Sequence, residues 1–234
     1  MQADMEEDGK KEEQYFTDPE TGDVYYTISY PSDAAPETDI ILLHGLLTNP
    51  RFWWEEEMAK LLTYGNVHCI SLTGHYPSVL KQPRRRRIDE TFMVNMVNQQ
   101  LRFLGLDARP VILVGHSTGA LVSLVYALHH PERIRALGVL CTLPHGAEGV
   151  SMFGLLQFLN RRGGFLGDLL YRLILRTNSL SQSIHRYLLG DVAHDRKQLF
   201  AYPGFDRWVA SNYPYLRKLD PEQTGRWLQD LYSI

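Results

Sequence analysis

Short, continuously apolar runs alternate along the chain with longer segments in which apolar residues recur every three or four positions. The run "DIILLHG", residues 39–45, has the unbroken texture of a strand buried on both faces of a parallel sheet. "VHCISLTGH" (67–75), "VILVGH" (111–116) and "IRALGVLCTLP" (134–144) read as further strands, the last with its turn. Ahead of them, two β-rich runs flank Asp18-Pro19-Glu20-Thr21-Gly22, which predicts a hairpin with a longer loop.

Between the runs the period lengthens to that of a helix. Asn49-Pro50 followed by "RFWWEEEMAKLLTYG" predicts a helix with Asn49 as cap, Pro50 in its first position and Gly65 at its close. In "IDETFMVNMVNQQLRFLG", Met93, Met96, Val97, Leu101 and Leu104 share one helical face, and Asp89 and Glu90 favour its N-terminus. A third helix runs from Ala120 through His130 and is stopped by Pro131.

From about residue 148 the strand-like runs cease. Met152, Leu155, Leu156 and Leu159 fall at helical spacing, as do Leu166, Leu169, Leu170 and Leu173, with Gly163-Gly164 between the two sets. Such stripes are expected to pack a helical cap onto the core; the alternative is that Phe153, Phe158, Phe165 or Tyr171 lines an acyl pocket. "DPEQTGRWLQDLYSI" reads as a final helix capped by Asp220 with Pro221 first. Strands alternating with helices predict an α/β fold with a mostly parallel sheet and right-handed crossovers. The expected organisation is a polar tail (1–13), an α/β core (14–147), a helical cap (148–219) and a helix returning to the core (220–234).

Composition narrows the classes. At 234 residues, 44% hydrophobic and 22% charged, the chain suits one sizeable soluble domain or two small ones. A formal net charge of −3 gives no reason to expect a nucleic-acid partner. Cys69 and Cys141 lie in apolar runs and read as small buried hydrophobes of a reducing compartment. The charged N-terminus has no apolar signal region, and Asp168, Arg172 and Arg176 interrupt the most apolar window, so the expectation is a cytoplasmic protein without a membrane span. No metal-ligand spacing or nucleotide loop stands out, and no cofactor is implied. "KQPRRRR" (81–87) reads as a solvated loop before a helix, with an acidic partner or an anionic head group as the alternative.

The chemistry gathers at Gly115-His116-Ser117-Thr118-Gly119, between an apolar strand and a helix. A serine on so tight a turn takes a strained backbone conformation that lifts its Oγ clear of the sheet. Gly115 and Gly119 remove β-carbons that would collide with the neighbouring helix and strand. Ser117 then stands at a helix N-terminus, and the Thr118 N–H is placed to meet a developing oxyanion. The alternative is a glycine-rich turn with no chemistry.

The order "DIILLHG", "SLTGH", "GHSTG", then a strand and a helical insertion, resembles the α/β-hydrolase superfamily with a cap domain. The resemblance implies that His44-Gly45 is the family's turn after the third strand and that the Leu46 N–H is the second oxyanion donor. Ser71 through Ser78 is similar to the family's D-L-x-G-H-G-x-S, with Ser71 in place of the acid and Tyr76 in place of the second glycine. What this implies is a serine hydrolase forming an acyl-enzyme on Ser117 with an ester or thioester of a small hydrophobic substrate. The rival is a non-catalytic binding or interaction protein on the same fold.

The family places its acid and histidine after the cap, on two further strands. Here no strand–Gly–Asp pattern follows the cap and no histidine lies beyond His194, so the triad acid and base are unassigned. The expectation is a chain lacking the last strands and helices, with an unpaired apolar sheet edge able to associate. His145 is the nearest substitute base by topology, against a plain turn role. His116 is expected to pack or shape the pocket wall, His44 and His75 to orient loops through hydrogen bonds, and His185 and His194 to lie on the cap, facing solvent equally well. Trp53 and Trp54 are expected to be packed, or else to narrow the pocket.

Overall fold

In the computed structural model, which describes residues 11–53, 55–142, 158, 164–178, 180–192 and 195–231, six strands form one sheet. The predicted hairpin, β1 (Glu12–Thr17) and β2 (Val24–Tyr30), makes one side of it. Asp18 holds the connecting loop by accepting from the Glu20 N–H and the Thr21 hydroxyl. β2 pairs antiparallel with β4 (Asn66–Ile70); β4, β3 (Asp39–Leu43), β5 (Val111–His116) and β6 (Ile134–Leu140) are parallel, and the spatial order is β1-β2-β4-β3-β5-β6.

β3 is flanked on both sides, which explains its unbroken apolar texture. Ile41 and Leu43 face one layer with α2 (Glu90–Phe103), α3 (Thr118–His129) and the last helix, while Ile40 and Leu42 face the other with Met58 of α1 (Glu55–Leu61). Each such side chain, fully removed from water, contributes roughly 1.5–3 kcal/mol. Met93, Met96, Val97 and Leu101 are buried as the periodicity of α2 requires, and Asp89 accepts from the Phe92 N–H as its cap. α3 ends at His129, and Pro131 opens a 3₁₀ turn (Pro131–Arg133) into β6.

The helix predicted from Pro50 is instead split. Asn49 does cap, accepting from the Arg51 N–H, but Pro50–Phe52 is a 3₁₀ turn, Trp53 is extended, and α1 begins at Glu55. The carbonyls that would continue the helix are taken by a distant element: Trp208 Nε1–H donates to Phe52 O at 2.6 Å and Asn212 donates to Arg51 O at 2.9 Å.

After β6 the described elements are helical: α4 (Gly164–Asn178), α5 (Gln182–Val192), α6 (Arg196–Ala201), α7 (Phe205–Leu216) and α8 (Pro221–Leu231). α8 is capped as expected, Asp220 accepting from the Glu222 N–H. It seats Trp227 in the core, with the indole N–H on Thr73 O at 2.7 Å. The stripe on α4 departs from expectation. Its core contacts are Tyr171 and Leu175, whereas Leu166, Leu169 and Leu173 point to solvent. Phe158 and Phe165 are exposed too, and Tyr171 is sealed against α8 with its hydroxyl on Thr224. Met152, Phe153, Leu155, Leu156, Leu159 and Gly163 lie outside the described residues.

Cys69 is buried in β4, but Cys141 is exposed, because β6 ends at Leu140 and pairs only with β5 among the described residues. The free side of β6 presents exposed Leu137 and Leu140.

Candidate active site

Ser117 joins β5 to α3 with φ 54° and ψ −120°, a conformation that L-residues with a β-carbon avoid. The bend is held from both sides. The Ser117 N–H donates to Leu140 O on β6 at 2.8 Å, and Ser117 O accepts from the Ala120 and Leu121 N–H groups of α3. A β-carbon on Gly115 would stand 2.2 Å from Gly119 O, and one on Gly119 would stand 2.4 Å from His44 O. Both distances are far inside van der Waals contact, so only glycine fits either position.

Gly45 lies directly against the elbow: a β-carbon there would be 3.1 Å from Ser117 Cβ and from His116 Nδ1. The turn after β3 is itself strained, with Leu47 at φ 58°. The fully buried His44 sets its orientation. His44 Nε2 accepts the Leu72 N–H at 3.1 Å, which leaves the ring proton on Nδ1, 2.8 Å from Gly45 O. The Thr48 hydroxyl donates to the same oxygen at 2.8 Å. In the trans Gly45–Leu46 peptide, C=O and N–H point in opposite directions. The carbonyl of that peptide is thus held by His44 and Thr48 together. Among the described residues, no hydrogen bond engages the Leu46 or the Thr118 N–H.

Burial keeps the histidines around this turn neutral. The imidazole of His44 is held well below its ordinary range by desolvation, reinforced by its neighbours His75 and His116. That of His75 is pushed down to about 4 by burial. The expected loop-orienting bonds of His75 do not form: the carbonyls of Thr73 and Leu72 lie near enough to oppose the shift, but neither ring nitrogen meets hydrogen-bond geometry. Its ring instead packs edge-on between His44 and Trp227. His116 stacks on Phe52 with centroids 4.5 Å apart, and burial lowers its pKa. Phe52 in turn meets Trp208 of α7 and half-buried Trp53 edge-on, so an aromatic wall links the helical segment to the residue beside Ser117. His185 is buried on α5, its pKa brought down to about 4 by desolvation, where exposure was an equal expectation. Trp54, His145 and His194 lie outside the described residues.

The position where the resembled motif has an acid holds a neutral network. Ser71 Oγ accepts the Tyr26 N–H, and the Gln100 amide bridges the Ser71 N–H and C=O. Among the described residues no hydrogen bond engages Ser117 Oγ. Sequence reasoning singled out Ser117, Gly115, Gly119, His44, Gly45, Leu46, Thr118 and His116, which the structure places at the neighbouring ends of β3 and β5 and the start of α3. It missed Thr48 and Phe52, whose parts depend on the fold of the 45–53 segment and carry no motif.

Three comparisons bear on this geometry. The model of a family described as "Alpha/beta hydrolase family" matches residues 40–233. Monoacylglycerol lipase ABHD6 of Bos taurus is 29% identical over 121 residues, 51% of this chain and 34% of that one; the Homo sapiens protein of the same name is 27% identical over a similar stretch. The chain thus spans about a third of the length of the curated relatives it matches. Among solved structures, a carboxylesterase of the thaumarchaeon Nitrososphaera gargenis superposes with TM-score 0.64 at 19% identity, covering 94% of this chain and 72% of that one. A hydrolase of Pseudomonas aeruginosa gives 0.63 at 15% with the same coverage. At these identities the likeness is one of fold.

Proposed function

Since the chain belongs to the alpha/beta hydrolase family, we propose that it is a serine hydrolase that attacks an ester or thioester of a small hydrophobic acyl group through Ser117. The observation that carries this reading is the backbone of Ser117, held at φ 54° and ψ −120° with Gly45 packed against it. Strain of roughly 1–3 kcal/mol is retained at one residue, and three glycines are positioned to permit it.

The reaction balances as follows. Ser117 Oγ bonds to the acyl carbon while its proton passes to a base, and the carbonyl π electrons move onto oxygen. The Leu46 and Thr118 N–H groups meet that oxyanion. Collapse expels the alcohol or thiol with a proton, and water then hydrolyses the acyl-serine. The helical segment from α4 to α7 acts as the cap, and the aromatic wall of Trp208, Phe52 and His116 offers an apolar side for the acyl group. No cofactor takes part in this scheme.

The base is not assigned. A serine hydrolase without its base and acid keeps on the order of 10³ to 10⁴ over water from the oxyanion donors and binding. A second reading, a binding protein on the hydrolase fold, is favoured by the lack of any described partner for Ser117 Oγ. Turnover of 4-nitrophenyl acetate and butyrate distinguishes the two. The hydrolase reading requires ester cleavage that Ser117→Ala abolishes; cleavage indifferent to that change contradicts it, and no cleavage above the buffer rate supports the binding protein.

A further inference from the structure

The turn after β3 is pinned at both ends, and the two anchors come from different parts of the chain. At Gly45 the anchor is in the core, where His44 and Thr48 hold the carbonyl. At Arg51 and Phe52 the anchor is α7. Between the anchors Leu47 stands at φ 58°, a backbone that needs support from outside.

The second anchor follows from how the segment folds. The 3₁₀ turn Pro50–Phe52 leads into no helix, so its last carbonyls find no partner within it. One face of α7 supplies the donors, because Trp208, Asn212 and Tyr215 recur at helical spacing. Trp208 Nε1–H donates to Phe52 O at 2.6 Å and Asn212 Nδ2 to Arg51 O at 2.9 Å, and the Arg51 guanidinium lies over the Tyr215 ring at 5.0 Å. Asn212 is buried, and both ends of its amide are used. Nδ2 also donates to Trp208 O at 3.0 Å, and Oδ1 accepts from Asn49 Nδ2 at 3.3 Å. Asn49 is itself the residue whose side chain caps the 3₁₀ turn.

We propose that Trp208 and Asn212 are positioning residues through which α7 sets the turn that carries the Leu46 N–H, so that the placement of the cap governs the oxyanion donor. The inference rests on the serine-hydrolase reading and adds a control point to it. Trp208 joins two tasks in one side chain. Its ring meets Phe52, which stacks on His116 beside Ser117, and its N–H holds the Phe52 carbonyl. An acyl group seated against that wall touches the side chain that fixes the turn, which couples substrate binding to donor placement. A helix serving only as a wall needs the ring and not the N–H, and has no use for a buried amide pair between Asn49 and Asn212.

Two variants of the full chain test this. Trp208→Phe keeps a ring at the wall and removes the N–H; Asn212→Leu keeps the bulk and removes the amide. Hydrogen exchange of residues 45–52, read by mass spectrometry, should speed up about tenfold in each. Fluorophosphonate labelling of Ser117 should slow by about the same factor, and kcat for 4-nitrophenyl acetate and butyrate should fall equally with KM nearly unchanged. Leu175→Ala, which weakens α4 away from the turn, should leave the exchange of 45–52 as in the parent. Unchanged exchange in both variants overturns the proposal. So does faster exchange with unaltered labelling, or a loss confined to butyrate and carried by KM, which makes α7 a wall alone. A parent chain that neither labels nor cleaves, yet whose 45–52 exchange responds to Trp208→Phe, sinks the hydrolase reading while the hold of α7 on the turn stands.

Discussion

His44 donates from Nδ1 to the carbonyl oxygen of Gly45, the residue that follows it, and so fixes the peptide plane whose other end is the Leu46 N–H. The same ring accepts the Leu72 N–H through Nε2, which ties the turn after β3 to the end of β4. One neutral imidazole therefore holds the turn whose Gly45 packs against Ser117. His44 and Thr48 are positioning residues on this account, since neither touches the acyl group.

Thr48→Val removes one of the two donors on Gly45 O while keeping the shape of the side chain. The rate of fluorophosphonate labelling at Ser117 should fall by up to about tenfold, with a loss of stability of about 1 kcal/mol. His44→Ala removes both the ring's bonds and its packing, and should abolish labelling and lower the unfolding midpoint together. Thr48→Ser, which keeps the hydroxyl, should restore most of the rate; a rate as low as that of Thr48→Val would remove the hydroxyl from the account.

Ser117→Gly should stabilise the fold by roughly 1 kcal/mol, because glycine adopts φ 54° and ψ −120° without a β-carbon clash. Ser117→Ala should give no such gain. Chemical denaturation of the two variants side by side separates backbone strain from the loss of a hydroxyl.

Gly119→Ala should be among the most damaging single changes in the chain. The new β-carbon would meet His44 O at 2.4 Å and Leu43 O at 2.6 Å, backbone atoms at and just past the end of β3. A loss of about 3 kcal/mol or more is expected, read from the urea midpoint. Gly105→Ala, where no atom stands within 4 Å of the added β-carbon, isolates the cost of a positive φ (70°) alone and should be milder.

Stability should fall as the solution is acidified. His75 is fully buried with its pKa lowered from 6.5 to about 4, so the unfolded chain binds its proton first. Its contribution is complete above about pH 6.5 and is lost as pH drops through 4, with a limiting slope of about 1.4 kcal/mol per pH unit. His44, shifted in the same direction, adds to the loss. Unfolding midpoints between pH 4 and 7 should show this slope, and His75→Asn should flatten it; a slope unchanged in that variant would clear His75.

Much of the fold was legible because one physical rule governed each stretch. β3 is buried on both faces and reads as an unbroken apolar run; α2 is buried on one face and reads at helical period. The elbow was legible because Gly115 and Gly119 are sterically compelled by atoms close in sequence or on the adjacent strand. What escaped was set by distant partners. Pro50 begins no α-helix because Trp208 and Asn212 claim the Phe52 and Arg51 carbonyls. The leucines of α4 carry helical period, but period alone does not say which face is buried, and Tyr171 and Leu175 claimed the inner one. His75 kept no hydrogen bond on its ring because Trp227, a residue far along the chain, fills the space beside it.

Intact-mass analysis after exposure to a fluorophosphonate probe tests the central claim most directly. An activated Ser117 takes up one probe per chain, mapped to the peptide containing Gly115 through Gly119, and Ser117→Ala takes up none. A folded chain whose mass stays unchanged, or whose Ser117→Ala variant labels equally, contradicts the account.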